Sequence, residues 1–439
     1  MRIAIDLQGL QNKGNNYRGI GRYTVSLIKA LFRSFPKDEY VLIGNAYLLD
    51  AKKYFLDDFN NPELNISYSS WYIPEILNLS FQAKKAHANI LEKLHSLTFS
   101  RLNADVILIT SFFDGFEDDC IVTFEDDIIL APIVTIFYDL IPLLYANDYL
   151  ESNISFKEFY LARLHRISNL DGLLAISNST LNEALNHIPI SSDKLFNISS
   201  GCNDLIFNSN KIDDACLYSF DLQSSKFILY IGAADPRKNL LRLIEAYSNL
   251  DKSLIETYKL ALAGKFSKTE IEIINTKMQS LGINSNRIKF LGYISDEDLK
   301  SLYQTCALFV FPSLHEGFGL PVLEAMSSGA VVIASNIPSH LDILGDTKYL
   351  FNPEEIENIS AKIKLFLTNV SFREDSIENS KYQIKKFSWE NTAQLAYKAF
   401  STIVSRSNIE KQKELNWTKI KVKRKGNLNQ CLDDIKKII

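Results

Sequence analysis

Short apolar, β-branched runs alternate with longer amphipathic stretches along the whole chain. The runs predict buried strands and the stretches predict helices, a succession that belongs to βαβ units on parallel sheets. In the first half the predicted strands are Arg2 to Ile5, Tyr40 to Gly44, Asp105 to Ile109, Ile133 to Phe137, Leu173 to Ile176 and Leu195 to Ile198. In the second half they are Phe227 to Ile231, Tyr258 to Ala263, Ile288 to Leu291, Leu308 to Phe311 and Val331 to Ala334. The polar stretch Asn203 to Ser225 lies between the two sets and is the candidate linker. Two open α/β sheets joined this way predict a cleft, because such sheets take ligands beyond the carboxyl ends of their strands. A last amphipathic helix is predicted from the Phe387 to Thr392 segment to about Ser405, with Ser388 as its N-cap.

Composition narrows the class. With 439 residues and 46% hydrophobic content the chain can bury more than one core. Its net charge of −4 argues against nucleic acid as the main partner. The cysteines Cys120, Cys202, Cys216, Cys306 and Cys431 stand singly, so neither a disulfide framework nor a zinc site is expected, and they read as reduced cytosolic thiols. The N-terminus enters a strand directly, so no signal peptide is expected, and the longest apolar run, Ile128 to Tyr138, is too short to span a bilayer. From Arg406 to Lys425 eight Lys/Arg face two Glu. That stretch is either a solvated tail or an electrostatic foot on an anionic membrane surface.

The chemistry concentrates between Glu316 and Glu324, EGFGLPVLE, after a predicted strand. Pro321 suits the first position of a helix, which puts Glu324 on its first turn. Backbone N–H groups at Gly317, Phe318, Gly319 and Leu320 then form an anion site at a helix N-terminus, flanked by carboxylates that accept from hydroxyls. An anion flanked by polyols describes a nucleotide sugar. After the strand Phe227 to Ile231, Gly232 opens a turn carrying Arg237 and Lys238, cations suited to a diphosphate. After the first strand, Arg18-Gly19-Ile20-Gly21 leads into a helix predicted over Thr24 to Phe32; its glycines serve either close approach of a ligand or tight packing. Asp139, at the end of Ile133 to Phe137, either touches ligand or caps the next turn. Asp296-Glu297-Asp298 has a metal-binding DxD form but sits where acids favour a helix start, and the histidines have no ligand spacing, so no metal site is expected.

Taken in order, the segments at Arg18, Tyr138, Arg237 and Glu316, with FSWE at Phe387 to Glu390, resemble the retaining glycosyltransferases of family 4, over about residues 1 to 405. The resemblance implies the GT-B fold, an α/β architecture of two Rossmann-like domains facing across a cleft, with a C-terminal helix crossing back to the N-terminal domain. The implied division is an acceptor domain over 1–205, a linker over 206–225, a nucleotide-sugar domain over 226–387, a crossing helix over 388–405 begun by Trp389, and a basic tail over 406–439. It implies that Glu324 bonds the ribose hydroxyls, Glu316 faces the transferred sugar, and Arg237 and Lys238 bind the diphosphate. Phe318, Gly319 and Leu320 would present N–H groups, Gly19 and Gly21 would match the glycine loop near the phosphates, and Tyr293 would lie near the base. Many relatives have His where this chain has Tyr138, so Asp139 becomes the catalytic candidate in that strip.

The implied activity is retaining, metal-independent transfer from a nucleoside-diphosphate sugar to a glycan or lipid-linked acceptor in surface-polysaccharide synthesis. The resemblance favours GDP-mannose over UDP-sugars, requires no cofactor, and places the protein in the cytoplasm with peripheral membrane contact through the tail. Competing classes are a UDP-sugar epimerase, a nicotinamide oxidoreductase, disfavoured by the missing GxGxxG, and a non-catalytic subunit of the same fold.

Overall fold

The computed structural model describes residues 1–12, 14, 19–72, 81–125, 128–202, 215–233 and 235–415. By its internal contacts the chain divides into two compact units, Met1–Ser199 together with Trp389–Ile439, and Ser200–Ser388.

In the first unit the described strands are β1 (Arg2–Asp6), β2 (Glu39–Asn45), β3 (Asn65–Trp71), β4 (Val106–Ile109), β5 (Ile133–Phe137), β6 (Gly172–Ala175) and β7 (Leu195–Asn197). They pair in parallel in the order β3-β2-β1-β4-β5-β6-β7. Ile3, Ala4, Ile5, Val106 to Ile109, and Leu173 to Ala175 are fully buried, as strands must be when helices cover both faces of a parallel sheet. The strand β3 was not expected. Its sequence, NISYSSW, is mostly polar, and it lies at the sheet edge with only Trp71 buried, so it lacks the apolar run that marks an inner strand.

The helix Gly19–Ser34 begins five residues before the expected Thr24, which places Gly19 and Gly21 in its first turn rather than in a loop. Two helical glycines cost about 1 kcal/mol each relative to alanine. Burial of Tyr23, Leu27, Ile28, Leu31 and Phe32 along one face offsets that cost. The C-terminal helix runs Trp389–Leu415, ten residues beyond the expected Ser405, and it packs on the helix Gly19–Ser34. Trp389 meets Tyr23 edge to face at 5.0 Å, Phe35 stacks on Tyr397 at 3.7 Å, and Arg33 pairs with Glu390 at 2.9 Å. Arg406, expected to open a tail, pairs with Asp193 at 3.0 Å, and residues 416–439 lie outside the described residues.

In the second unit the strands are β8 (Phe227–Ile231), β9 (Lys259–Ala263), β10 (Ile288–Gly292), β11 (Leu308–Phe311), β12 (Val332–Ser335) and β13 (Leu350–Phe351). They are parallel, in the order β10-β9-β8-β11-β12-β13. Both sheets therefore reverse their winding direction beside their first strand, between β1 and β4 and between β8 and β11. The second unit starts at Ser200, not after 205, because Cys202 forms a parallel bridge with Ser388 that ties this segment to the end of the unit. Most of the expected linker, 203–214, lies outside the described residues. Cys120 and Cys306 are buried and form no disulfide.

Trp389 anchors the C-terminal helix by its buried ring. Trp389→Ala is expected to cost about 3–5 kcal/mol, as truncation of a buried large aromatic does, measured as a lower urea midpoint with an unchanged slope.

Candidate functional site

In the second sheet the turns leaving β8 and β11 meet at the reversal point. Asp235 opens the first turn by accepting from the Arg237 N–H at 2.9 Å, and Pro236–Lys238 form a single 3-10 turn. Asn239 closes it in the left-handed region at φ 58°, a conformation asparagine tolerates. Its buried amide donates to the Pro312 carbonyl at 3.1 Å and the Pro353 carbonyl at 2.7 Å. The Leu314 N–H donates to the Arg237 carbonyl at 2.8 Å, so the two turns are stitched through both backbone and side chain.

Three predicted residues converge there. Lys238 Nζ lies 2.6 Å from Glu316 Oε1, and Arg237 Nη1 lies 3.0 Å from Oε2. Arg237 also donates to the His315 carbonyl at 2.8 Å, and Lys238 sits 5.0 Å from the centre of the Phe311 ring. Burial pushes the Glu316 carboxyl upward, but Lys238 and Arg237 outweigh it and hold the group down at about 2. The result is one carboxylate shared by two largely buried cations, Lys238 through a charge-assisted hydrogen bond and Arg237 through an ion pair.

Beyond Glu316 the chain turns at Gly319, φ 108°, and enters the helix Leu320–Ser327. Pro321 is its second residue, so Glu324 falls on the second turn rather than the first, because the helix starts one residue earlier than expected. The Glu324 side chain is buried and accepts from the Tyr303 hydroxyl at 3.2 Å. Phe318 is also buried, edge-on to Phe387 at 5.7 Å, and so anchors the Gly317 to Leu320 turn by its ring. A Cβ on Gly319 would come within 3.0 Å of the His340 ring, so both backbone angle and space require glycine.

His340 was not expected here. It is fully buried, its Nδ1 lies 3.1 Å from the Ser335 carbonyl, and burial lowers its pKa to about 4. It is thus a neutral imidazole donating from Nδ1, with a bare Nε2 beneath the glycine turn. Only the Pro338-Ser339-His340 start of the helix after β12 marks it in sequence.

Tyr293 follows β10, is 65% exposed, and has Lys265 Nζ 5.5 Å from its ring centre. Its loop is braced by close glycine contacts: the Gly264 N–H donates to the Gly292 carbonyl at 2.9 Å, and a Cβ on Gly264 would overlap the Gly232 carbonyl.

Asp139, Gly19 and Gly21 belong to the first unit. Asp139 Oδ1 accepts from the Ile141 N–H at 3.1 Å, the capping geometry that its position allowed. The neighbouring Tyr138 hydroxyl donates to the Thr110 carbonyl at 3.1 Å and lies 3.0 Å from Thr24 Oγ1, so its polar end serves packing. A Cβ on Gly19 would meet nothing within 4 Å among the described residues. Asp296 to Asp298 form the first turn of a helix capped by Ser295. Among the described residues no group of three or more His, Cys, Asp or Glu is placed to hold a metal ion.

A doubly wound parallel sheet with cations and a glycine turn at its reversal point is an arrangement suited to an anionic ligand. Residues 220–383 match the family described as glycosyl transferases group 1. The chain is 32% identical over 422 residues to a serotype-specific mannosyltransferase, WbdA, of Escherichia coli, covering 93% of this chain and 49% of that protein. It is 33% identical over 232 residues to the E. coli O-antigen chain mannosyltransferase B, covering 53% of this chain and 60% of that one. Anabaena HepE, crystallised with UDP and glucose, superposes with a TM-score of 0.66 at 15% identity, covering 92% of this chain and all of that one. The chain has the GT-B fold, and residues 220–383 within it match the glycosyl transferases group 1. It spans about half the length, or less, of the first WbdA relatives it matches.

The Glu316 ion triplet carries a pH signature. Its carboxyl is depressed in the folded chain, so its contribution to stability is complete above about pH 4.5 and is lost as pH falls through about 2. The gap in melting temperature between the native protein and Glu316→Gln is expected to hold from pH 7 to 5 and close toward pH 2. A gap that closes near pH 4.5 would mean the carboxyl is not depressed.

Proposed function

We propose that this protein is a retaining glycosyltransferase that moves a sugar from a nucleoside-diphosphate donor to a glycan or lipid-linked glycan in surface-polysaccharide synthesis. The carrying observation is the convergence of Arg237 and Lys238 on Glu316 beside the N-terminus of the helix Leu320–Ser327. The names of the E. coli relatives support mannose as the sugar, and with it GDP-mannose as donor ahead of UDP-sugars.

The chemistry follows from the charges. As the anomeric carbon–oxygen bond breaks, negative charge grows on the leaving diphosphate. Fixed cations and backbone N–H groups stabilise that charge more than they stabilise the bound donor, which lowers the barrier. An arriving diphosphate competes with Glu316 for Arg237 and Lys238, which frees the carboxylate to accept from hydroxyls of the transferred sugar. Glu324, positioned by Tyr303, accepts from the ribose hydroxyls, and exposed Tyr293 offers a face to the base. In the retaining scheme the departing phosphate oxygen takes the proton of the incoming hydroxyl on the same face. No metal is invoked, because the two cations supply the positive charge. Among the described residues no helix is long and apolar enough to cross a membrane. We place the protein at the cytoplasmic face of the membrane by the chemistry of its proposed substrates.

Thermal melting with GDP, UDP, ADP and NAD in parallel, without metal, tests this reading. A nucleoside diphosphate at ~100 times its dissociation constant is expected to add about 2.7 kcal/mol of stability. Glu324→Ala is expected to abolish that shift. Lys238→Ala is expected to lower turnover by about 10²–10³ while the fold persists. A shift with UDP alone changes the donor; a shift with NAD alone overturns the transferase reading.

A further inference from the structure

The short helix after β12, Pro338–Leu344, lies against the glycine turn of the anion site. His340 and Ile343 are three positions apart and so share a helix face. They supply the atoms nearest the place a Cβ on Gly319 would occupy: His340 Cδ2 at 3.0 Å, His340 Nε2 at 3.3 Å and Ile343 Cδ1 at 3.4 Å. The imidazole also lies 5.4 Å from the Phe311 ring, centre to centre, and Lys238 sits 5.0 Å from the centre of that same ring. One fully buried ring therefore forms the floor of the turn and backs the aromatic ring that carries a cation of the site.

Packing alone does not ask for histidine here. Phenylalanine or leucine would fill the floor without a polar edge, and His340 Nε2 has no hydrogen-bond partner among the described residues. A buried acceptor left bare is a net cost. What the imidazole adds over an apolar ring is Nδ1, 3.1 Å from the carbonyl of Ser335, the last residue of β12. A carbonyl can only accept, so Nδ1 carries the proton. That carbonyl already accepts from the Ile337 N–H at 2.9 Å, so it does not depend on the imidazole for a partner. The bond acts instead on the ring. It fixes the ring's rotation against the end of the sheet, and with it the surface on which Gly319 rests.

We infer that His340 is a positioning residue for the leaving group: pinned to β12, its ring sets the Gly317 to Leu320 turn so that backbone N–H groups meet the diphosphate oxygen on which charge grows. It acts through Gly319 and touches no substrate. The inference rests on the transferase reading and deepens it, because it separates two forms of one ligand. A free nucleoside diphosphate has the full charge of the departed leaving group, whereas in the nucleotide sugar the terminal phosphate is esterified and carries one charge fewer. A turn aimed at that oxygen favours the free diphosphate, and a displaced turn loses the preference before it loses binding.

Titration calorimetry of the full chain at about pH 7.5, with GDP against GDP-mannose and UDP against UDP-glucose, tests this in three variants. His340→Phe keeps a ring without the tether, His340→Asn keeps a donor near the Nδ1 position without the ring, and His340→Ala keeps neither. The native protein is expected to bind the diphosphate of its own pair more tightly than the nucleotide sugar. Each variant is expected to lose about tenfold in affinity for the diphosphate and less than about threefold for the nucleotide sugar. His340→Phe decides between positioning and filling. It removes the bare nitrogen, so it is expected to melt no lower than the native protein and still to lose the preference. A preference intact in His340→Phe overturns the inference, as does an equal weakening of both ligands in all three variants. Either of those results, with native binding of one pair, removes the role of His340 and leaves the transferase standing. A native protein that binds neither pair overturns the transferase reading and this inference with it.

Discussion

Two cations cannot be placed together in a largely buried turn without an anion between them. Arg237 and Lys238 emerge on adjacent residues where β8 ends, and Glu316 holds both within hydrogen-bond distance. Removing one partner from such a group leaves an uncompensated buried charge, a cost of several kcal/mol. The conformation of both turns follows from this demand. Asp235 fixes the first turn, Asn239 ties it to Pro312 and Pro353, and Phe318 pins the second by its ring. The glycine turn and helix that follow are therefore set beside the cations before any ligand arrives, so that a diphosphate has only to take the place of the Glu316 carboxylate.

The same structural problem recurs in both units. Where a parallel sheet reverses its winding, the segments leaving neighbouring strands diverge, and backbone ladders no longer connect them. Side-chain amides take over that function. In the second unit Asn239 spans from the β8 exit to the β11 exit. In the first, Gln8 exchanges hydrogen bonds with the backbone of Ile121 at 2.6 and 2.9 Å, and Gln11 does so with Asn45 at 2.9 and 2.7 Å. Behind them Asp6 accepts from Gln8 and contacts the buried His95 at 3.3 Å. Fully partnered buried amides rigidify such a crevice, whereas an unpartnered one would cost as much as it stabilises.

Apolar runs were enough to place eleven strands to within a residue or two, because inner parallel strands are apolar on both faces. The edge strand β3 and the two-residue β13 carry no such run and were not legible. The cations and carboxylates of the site were legible because charge at a strand end stands out against apolar flanks. Their mutual pairing was not, since Lys238 and Glu316 are 78 positions apart. The glycines at 19 and 21 were misread as loop because glycine signals conformational freedom, while burial of the face below them carries the helix through both. His340, Gln8 and Gln11 stayed hidden for another reason. Each looks ordinary in its own segment, and only a distant partner gives it a task.

The two units also differ in the sign of what they gather at their reversal points. The second presents Arg237, Lys238 and helix N–H groups, which suit a site where negative charge grows on a leaving group. Among the described residues, the first presents aromatic rings and carboxylates. If the charge character were exchanged, the diphosphate would lose its stabilisation and an uncharged sugar would gain nothing from the cations. The separation therefore favours the transfer reading over two alternatives that share the fold. An epimerase acts on the nucleotide sugar alone and would make no use of the aromatic and acidic cavity of the first unit. A subunit that only binds would have no reason to hold two buried cations on a carboxylate that a diphosphate can displace.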